Sequence, residues 1–208
     1  MKIGIFGAGH IGGTLARLFA GAGHEVAVSN SRGPQTLASL VAEIGERVQA
    51  MTARDAAMFG DVVVVSVPFW RYREIPADEL AGKIVIDTNN YYPQRDGHFP
   101  DLDAGRTTSS ELLQAHLPHA LVVKAFNAIS WHSLRDRGRP AGDPGRIGIP
   151  ISGEDEKAEL IVAELIDHIG FDAVKAGSLA EGGRKYQPGT PVYTTDLTAP
   201  ELRAGLAA

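Results

Sequence analysis

Short apolar runs alternate along this chain with longer segments whose apolar positions recur every three or four residues. Lys2-Ile3-Gly4-Ile5-Phe6 is apolar and β-leaning, and Gly7 ends it. Over residues 11–22, Ile11, Leu15, Leu18 and Phe19 share one helical face before Gly21 and Gly23 close the segment. Glu25–Ser29 (EVAVS) predicts a second strand, so the first thirty residues read as strand, helix, strand. The rhythm continues with a predicted helix over 35–45, a short strand at Val48 and a short helix over 54–58. Residues 61–67 (DVVVVSV) are continuously apolar and β-branched, as a parallel strand covered on both faces requires. Ile84–Asp87 and residues 121–126 read the same way, and between them Ser109 or Ser110 is placed to cap a helix. Strands alternating with helices in this manner predict an α/β fold on a parallel sheet.

Residues 135–146 (RDRGRPAGDPGR) break the pattern and predict a surface loop. Beyond it come a strand near 147–152, a helix over about 155–169 and a strand near 172–176. A Gly/Pro-rich stretch (GGRKYQPGTPVY) then leads to a terminal helix. The expected division is a domain over 1–134 and a small C-terminal α/β lobe over 135–208, serving substrate binding and dimerisation. Composition narrows the function. With 20 basic against 25 acidic residues the net charge is −5, which argues against a nucleic-acid partner. The absence of Cys excludes disulfides, thiolate metal sites and a Cys nucleophile. No apolar run is long enough to span a bilayer, so no membrane partner is expected. Met1 leads at once into a structured pattern, leaving no room for a signal peptide, so the expected location is the cytoplasm.

Gly7-Ala8-Gly9-His10-Ile11-Gly12 fits G-x-G-x-x-G between a predicted strand and a predicted helix, the context that gives this spacing its meaning. Gly7 permits the turn, Gly9 lets backbone approach a pyrophosphate, and Gly12 lets the helix pack close to the strand. The alternative is an ordinary glycine-rich turn. The preferred reading is a dinucleotide site on a doubly wound Rossmann sheet, with the pyrophosphate at the helix N-terminus. At the end of the second strand an NAD site usually carries Asp or Glu for the ribose 2′-OH. This chain has Ser29-Asn30-Ser31-Arg32 instead, with hydroxyls, an amide and a guanidinium suited to a 2′-phosphate, so the cofactor is read as NADP. The alternative leaves Arg32 as a solvated turn residue.

With the glycine loop, the Asn-Ser-Arg segment and Val67-Pro68-Phe69-Trp70 together, the chain resembles the coenzyme F420-dependent NADP oxidoreductases. The likeness runs through GAGHIGGTLARLFAGAGHEV, DVVVVSVPF, KIVIDTNN and VVKAFN. The resemblance implies a Rossmann domain with a small C-terminal domain, a homodimer, and hydride transfer between NADPH and the deazaflavin as co-substrate. It places Ala8, Gly9, His10 and Ile11 at the pyrophosphate, and Asn30, Ser31 and Arg32 at the 2′-phosphate. Val67 and Pro68 border the nicotinamide ribose, Asn127 to Ile129 lie beside the ring, and Phe69, Asn89 and Ala125 count among the cofactor-binding residues. Another flavin, a quinone or a metal chelate is the alternative acceptor, and a non-catalytic NADP-binding redox sensor is the alternative class.

Hydride transfer between stacked rings needs alignment more than an acid or base, and the sequence shows no acid/base constellation. The seven His residues are scattered without metal-ligand spacing, so no metal is expected. Asn89-Asn90-Tyr91-Tyr92 follows a strand where ligands bind in such sheets, and is either a second-substrate contact or a plain turn. Phe69 and Trp70 read equally as an aromatic wall or as core. Trp131 and His132 are further cleft candidates, and Arg184, Lys185, Tyr186 and Gln187 could hold an anionic substrate tail or simply be solvated. The 3-hydroxyacid dehydrogenases and imine reductases also begin with such a half, but append a large all-helical domain that the mixed pattern after Phe126 does not match.

Overall fold

In the computed structural model, which describes all 208 residues, the apolar runs become strands of one eight-stranded sheet. The strands are β1 (Lys2–Phe6), β2 (Glu25–Ser29), β3 (Val48–Ala50), β4 (Val62–Val65), β5 (Ile84–Asp87), β6 (Leu121–Lys124), β7 (Gly148–Gly153) and β8 (Asp172–Gly177). Their order is β3-β2-β1-β4-β5-β6-β7-β8, and the first six are mutually parallel. This is the doubly wound Rossmann order, with its reversal between β1 and β4, where a crevice opens outside the strand ends. Register brings those ends level: Phe6 pairs with Ser29 and Val65, Val65 with Asp87, and Asp87 with Lys124.

Alternation along each strand divides the core between two faces. Ile3, Ile5, Val26, Val28, Val62 and Val64 join one cluster with Leu15, Phe19, Leu134, Val162 and Leu165. Phe6, Ala27, Val63, Val65, Val85 and Val122 join the other with Ala56, Phe69, Tyr72 and Leu113. Each fully buried Val, Leu or Ile contributes about 1.5–3 kcal/mol, which is why unbroken apolar runs select the two-sided environment of inner parallel strands.

The helices are α1 (His10–Gly21), α2 (Ala38–Ile44), α3 (Ala53–Phe59), the single turns α4 (Pro93–Asp96) and α5 (Pro100–Asp103), α6 (Ser109–His116), α7 (Trp131–Asp136), α8 (Glu156–His168), α9 (Gly182–Lys185) and α10 (Ala199–Ala207). Three details differ from the pattern reading. The segment expected as one helix over 35–45 is a 3-10 turn, Pro34–Leu37, followed by α2. α6 is capped by Thr108, one residue earlier than expected, because Thr108 and Glu111 form a reciprocal capping box. The strands expected over 61–67 and 121–126 end at Val65 and Lys124, and the residues after them turn into the crevice.

The boundary drawn at 134/135 falls inside α7, and the chain beyond it extends the same sheet. β7 runs antiparallel beside β6, with Lys124 opposite Ser152, and β8 lies parallel to β7. A third cluster, built on Tyr186, Val192, Leu202 and Leu206, joins the tail and α10.

Candidate functional site

The site is built at the crevice, starting from the turn after β1. Gly7 has φ +99°, and a Cβ there would stand 2.0 Å from the Ser66 carbonyl oxygen. A Cβ on Gly12 would stand 1.9 Å from the Gly7 carbonyl oxygen, so only glycine lets α1 pack this close to the turn. Gly9 differs: nothing lies within 4 Å of a Cβ placed there. The helix N-terminus beside it has no side-chain cap and no acidic residue in its first turn. Its free N–H groups therefore face an open approach, the arrangement that favours a bound anion.

One end of the crevice is a cavity of about 250 Å³ lined by Gly7, Gly9, Asn30, Ser31, Val67, Pro68 and, on the far wall, Ala53, Arg71, Ile75 and Pro76. Ser29 also lines it, but its hydroxyl donates to the Ile5 carbonyl at 3.1 Å, so its proton is not free for a phosphate. The Asn30 amide is committed too, because its Oδ1 accepts the Arg32 N–H at 2.9 Å and its Nδ2 donates to Thr36 at 2.8 Å. Asn30 thus shapes the turn that displays Ser31 and Arg32, both exposed. Arg71, which sequence reasoning did not single out, comes from a 3-10 turn after Pro68 and is held by Glu74.

The second cavity, about 380 Å³, shares Gly9, Ser66, Val67 and Pro68 with the first, so the two adjoin along the crevice and are together called the cleft. His10, Ile11, Asn89, Asn127 and Ile129 line this end, together with Asn90, Tyr92, Arg95, Trp131, Tyr193 and Thr194. Asn89 is buried, and its Oδ1 accepts the Val67 N–H at 3.1 Å while its Nδ2 has no partner. Asn127 donates to Asn90 Oδ1 and to the Tyr186 carbonyl, each at 3.1 Å, which leaves its own Oδ1 without a partner. One unmatched donor and one unmatched acceptor therefore sit on residues of the inner wall. His10 stacks on Trp131 with ring centres 4.5 Å apart, giving the outer wall a flat aromatic surface.

Beneath this end, Asp87 and Lys124 meet in the interior. Their charged groups are 3.6 Å apart, and Ser110 bridges them by donating to Asp87 at 2.6 Å and accepting from Lys124 at 2.9 Å. Burial pushes the Lys124 ammonium below its usual range, against the opposing pull of Asp87. Asp87 Oδ1 also accepts the Asn89 N–H, and Lys124 Nζ donates to the Asn89 carbonyl, so this pair fixes the strand end that presents Asn89.

Of the residues singled out from sequence, Gly7 and Gly9 to Ile11 line the cleft, as do Asn30, Ser31, Val67, Pro68, Asn89, Asn127 and Ile129. Gly12 supports the loop from beneath, and Ala8 packs against the core under it. Phe69 and Ala125 do not line either cavity. Phe69 stacks on Tyr72 at 4.9 Å within an aromatic core that includes Tyr91 and Phe99, and Ala125 is fully buried. Trp70 is exposed, and Tyr186 is wholly buried. Arg184 and Gln187 line a separate cavity of about 300 Å³ that meets the cleft at Asn90. No group of three His, Asp or Glu side chains is arranged to hold a metal ion, and no helix is long and apolar enough to cross a membrane.

The sheet order, the glycine turn at the reversal and the cleft across it define a Rossmann-type dinucleotide-binding protein. Residues 2–91 match the family described as NADP oxidoreductase coenzyme F420-dependent. A solved structure described as a putative F420-dependent NADP-reductase from Arthrobacter is 30% identical, covers 88% of each chain and superposes with a TM-score of 0.74. A hypothetical protein from Sinorhizobium meliloti is 34% identical over 95% of each chain, with a TM-score of 0.82. The chain belongs to the coenzyme F420-dependent NADP oxidoreductase family. It is also 32% identical to rat metalloreductase STEAP3 over 182 residues, 86% of this chain and 34% of that protein. The chain spans only 34–48% of the length of the curated relatives it matches.

Proposed function

We propose that this chain binds NADP along the cleft and transfers a hydride between NADPH and coenzyme F420. The observation that carries the reading is that two cavities, one lined by Ser31 and the other by Asn127, adjoin at Gly9, Ser66, Val67 and Pro68 outside the strand ends. In this reading the Gly9 backbone and the N–H groups of His10 and Ile11 take the pyrophosphate. Ser31 and Arg32 take the 2′-phosphate, because no carboxylate at the end of β2 repels it and the Arg32 guanidinium makes no ion pair within the chain. Arg71, Ile75 and Pro76 form the wall for the adenine, where a guanidinium plane suits a flat base. Val67 and Pro68 border the nicotinamide ribose. Asn89 and Asn127 line the inner wall at the nicotinamide end, each with one buried polar atom left without a partner.

NADPH supplies the hydride when bound. The chain's part is to hold two flat rings face to face and to exclude water, with the His10–Trp131 surface closing one side. The test is anaerobic absorbance with NADPH and, in turn, coenzyme F420, FMN, FAD and a quinone. Rapid bleaching of the deazaflavin band alone is the expected result. Turnover with a different acceptor only would move the substrate to that acceptor, and tight NADPH binding without any turnover would leave a redox sensor.

A further inference from the structure

At the inner end of the cleft, two tyrosines from distant parts of the chain meet through their hydroxyls. Tyr92 follows β5, Tyr193 lies in the tail, and their oxygens are 2.5 Å apart. Asn90 Nδ2 reaches the same Tyr193 oxygen at 3.3 Å and also donates to the Asn127 carbonyl at 2.8 Å. Arg95 secures the loop by donating to the Asn90 carbonyl at 2.8 Å, and its guanidinium lies 4.9 Å from the centre of the Tyr92 ring. The tail is held in place by Thr194, whose N–H donates to the Ala128 carbonyl at 2.8 Å. Thr194 has φ 57°, a strained conformation for a β-branched residue, so the surroundings dictate where Tyr193 stands. All four polar side chains line the cavity that holds the Asn127 end of the cleft.

A phenol oxygen can accept hydrogen bonds while donating its own proton. The proton between the two tyrosine oxygens can sit on either one. When Tyr92 donates to Tyr193 as Asn90 does, the Tyr193 proton is left for a third partner standing in the cavity that both tyrosines line. The Asn90 donor and the Arg95 cation, itself paired with the buried Asp96, stabilise the oxygen once that proton has gone. We propose that Tyr193 is the proton donor to the hydride acceptor, so that the site takes a conjugated acceptor that is protonated at a heteroatom rather than a metal chelate that gains electrons alone. This rests on the hydride-transfer reading above and specifies the acceptor class within it.

The acceptor gains a hydride, two electrons and one hydrogen nucleus, from NADPH, which leaves as NADP⁺. As negative charge builds on the acceptor heteroatom, the Tyr193 O–H bond breaks and the heteroatom–H bond forms. The phenolate then regains a proton from water through Tyr92. Burial and the Tyr92 contact raise the Tyr193 pKa above its ordinary value, which keeps the proton in place until the acceptor's basicity rises.

The test compares wild type, Tyr193→Phe and Tyr92→Phe in anaerobic single turnovers with NADPH and, separately, coenzyme F420 and a naphthoquinone. Tyr193→Phe is expected to slow the step about 100-fold, within the usual range for loss of a general acid, with NADPH affinity by fluorescence titration unchanged. Its rate should also become dependent on buffer acid and fall with rising pH, with a changed solvent isotope effect. Tyr92→Phe should cost only about two- to tenfold, as for loss of a neutral hydrogen bond. In NMR of ring-labelled tyrosine, the resonance that vanishes in Tyr193→Phe should shift in wild type when oxidised acceptor is added. A Tyr193→Phe rate within twofold of wild type overturns the proposal, as does a slowed rate with an unaltered pH profile and isotope effect, or a resonance that does not move. These results leave the hydride-transfer reading standing. A wild-type protein that binds NADPH but reduces neither acceptor overturns both.

Discussion

The two ends of the cleft are made from different materials. At the nucleotide end the glycine turn and residues Ser29 to Ser31 come from the first strand–helix–strand unit and its following turn, while Val67, Pro68 and Arg71 close the cavity from the segment after β4. The acceptor end is amides and aromatic rings from four separated segments: the start of α1 at His10, the loop after β5, the stretch from the end of β6 into α7, and the tail at Tyr193. A phosphate is recognised by turn geometry and N–H groups, which a short local motif can encode. A ring and its proton donor need side chains held by tertiary packing, and these can come from anywhere in the chain. The expected consequence is that substitutions at the nucleotide end act on affinity or on folding according to what lies beneath them. Those at the acceptor end act on the chemical step.

Four substitutions sharpen or break this contrast. The largest effect is expected from Asp87→Ala, which strands the buried Lys124 ammonium beneath the acceptor end. Loss of one partner of such a pair costs about 3–5 kcal/mol, read as a lowered urea midpoint. Gly12→Ala comes next, because its methyl would meet the Gly7 carbonyl. It should cost about 3 kcal/mol in the same assay and abolish NADPH binding. Gly9→Ala, by comparison, has open space around its methyl, so stability should stay within about 1 kcal/mol. NADPH affinity should nevertheless fall at least about tenfold, the equivalent of one lost charged hydrogen bond. Equal stability losses at Gly9 and Gly12 would break the distinction between a loop that supports and a loop that binds. Arg32→Ala should weaken NADPH binding by about 1.5–3 kcal/mol while barely changing NADH, as seen by titration. Equal losses for both cofactors would remove Arg32 from the 2′-phosphate.

The smallest effect should come from outside the cleft. His24 packs against His168, with ring nitrogens 3.4 Å apart. Burial, then the N-terminal charge and His168, lowers its pKa below the ordinary 6.5. The folded state thus binds this proton more weakly than the unfolded state. Its contribution is whole above the unfolded pKa and declines as pH falls through it. The urea midpoint should therefore drop between about pH 7 and pH 5, with a shallower drop in His24→Gln and no change in the pH dependence of NADPH affinity in that variant.

Much of the fold could be read directly from the chain because its signals are local. Unbroken runs such as Val62–Val65 and Ile84–Asp87 fit strands buried on both faces, and the glycine spacing locates the turn above them. The antiparallel direction of β7 was not legible, since periodicity carries no information about strand direction. Phe69 was misleading because it follows a strand end, as a cofactor contact would. A neighbouring cluster of Tyr72, Tyr91 and Phe99 instead draws it into the core. Asn90 and Tyr92 stood out as a polar, aromatic run after a strand, and Trp131 and His10 were also visible as candidates. Tyr193 had no local signal at all. Its place beside Tyr92, 101 positions earlier, exists only once the tail packs through Tyr186, Val192 and α10.

The proposed function rests on the turn after β2, together with the loop after β1, being a preformed site for a 2′-phosphorylated dinucleotide. Calorimetric titration of the wild-type protein with NADPH and with NADH tests it most directly. The account predicts NADPH binding tighter by at least about tenfold, the smallest gap expected when a guanidinium meets an added phosphate. Equal affinities, or tighter binding of NADH, would contradict it.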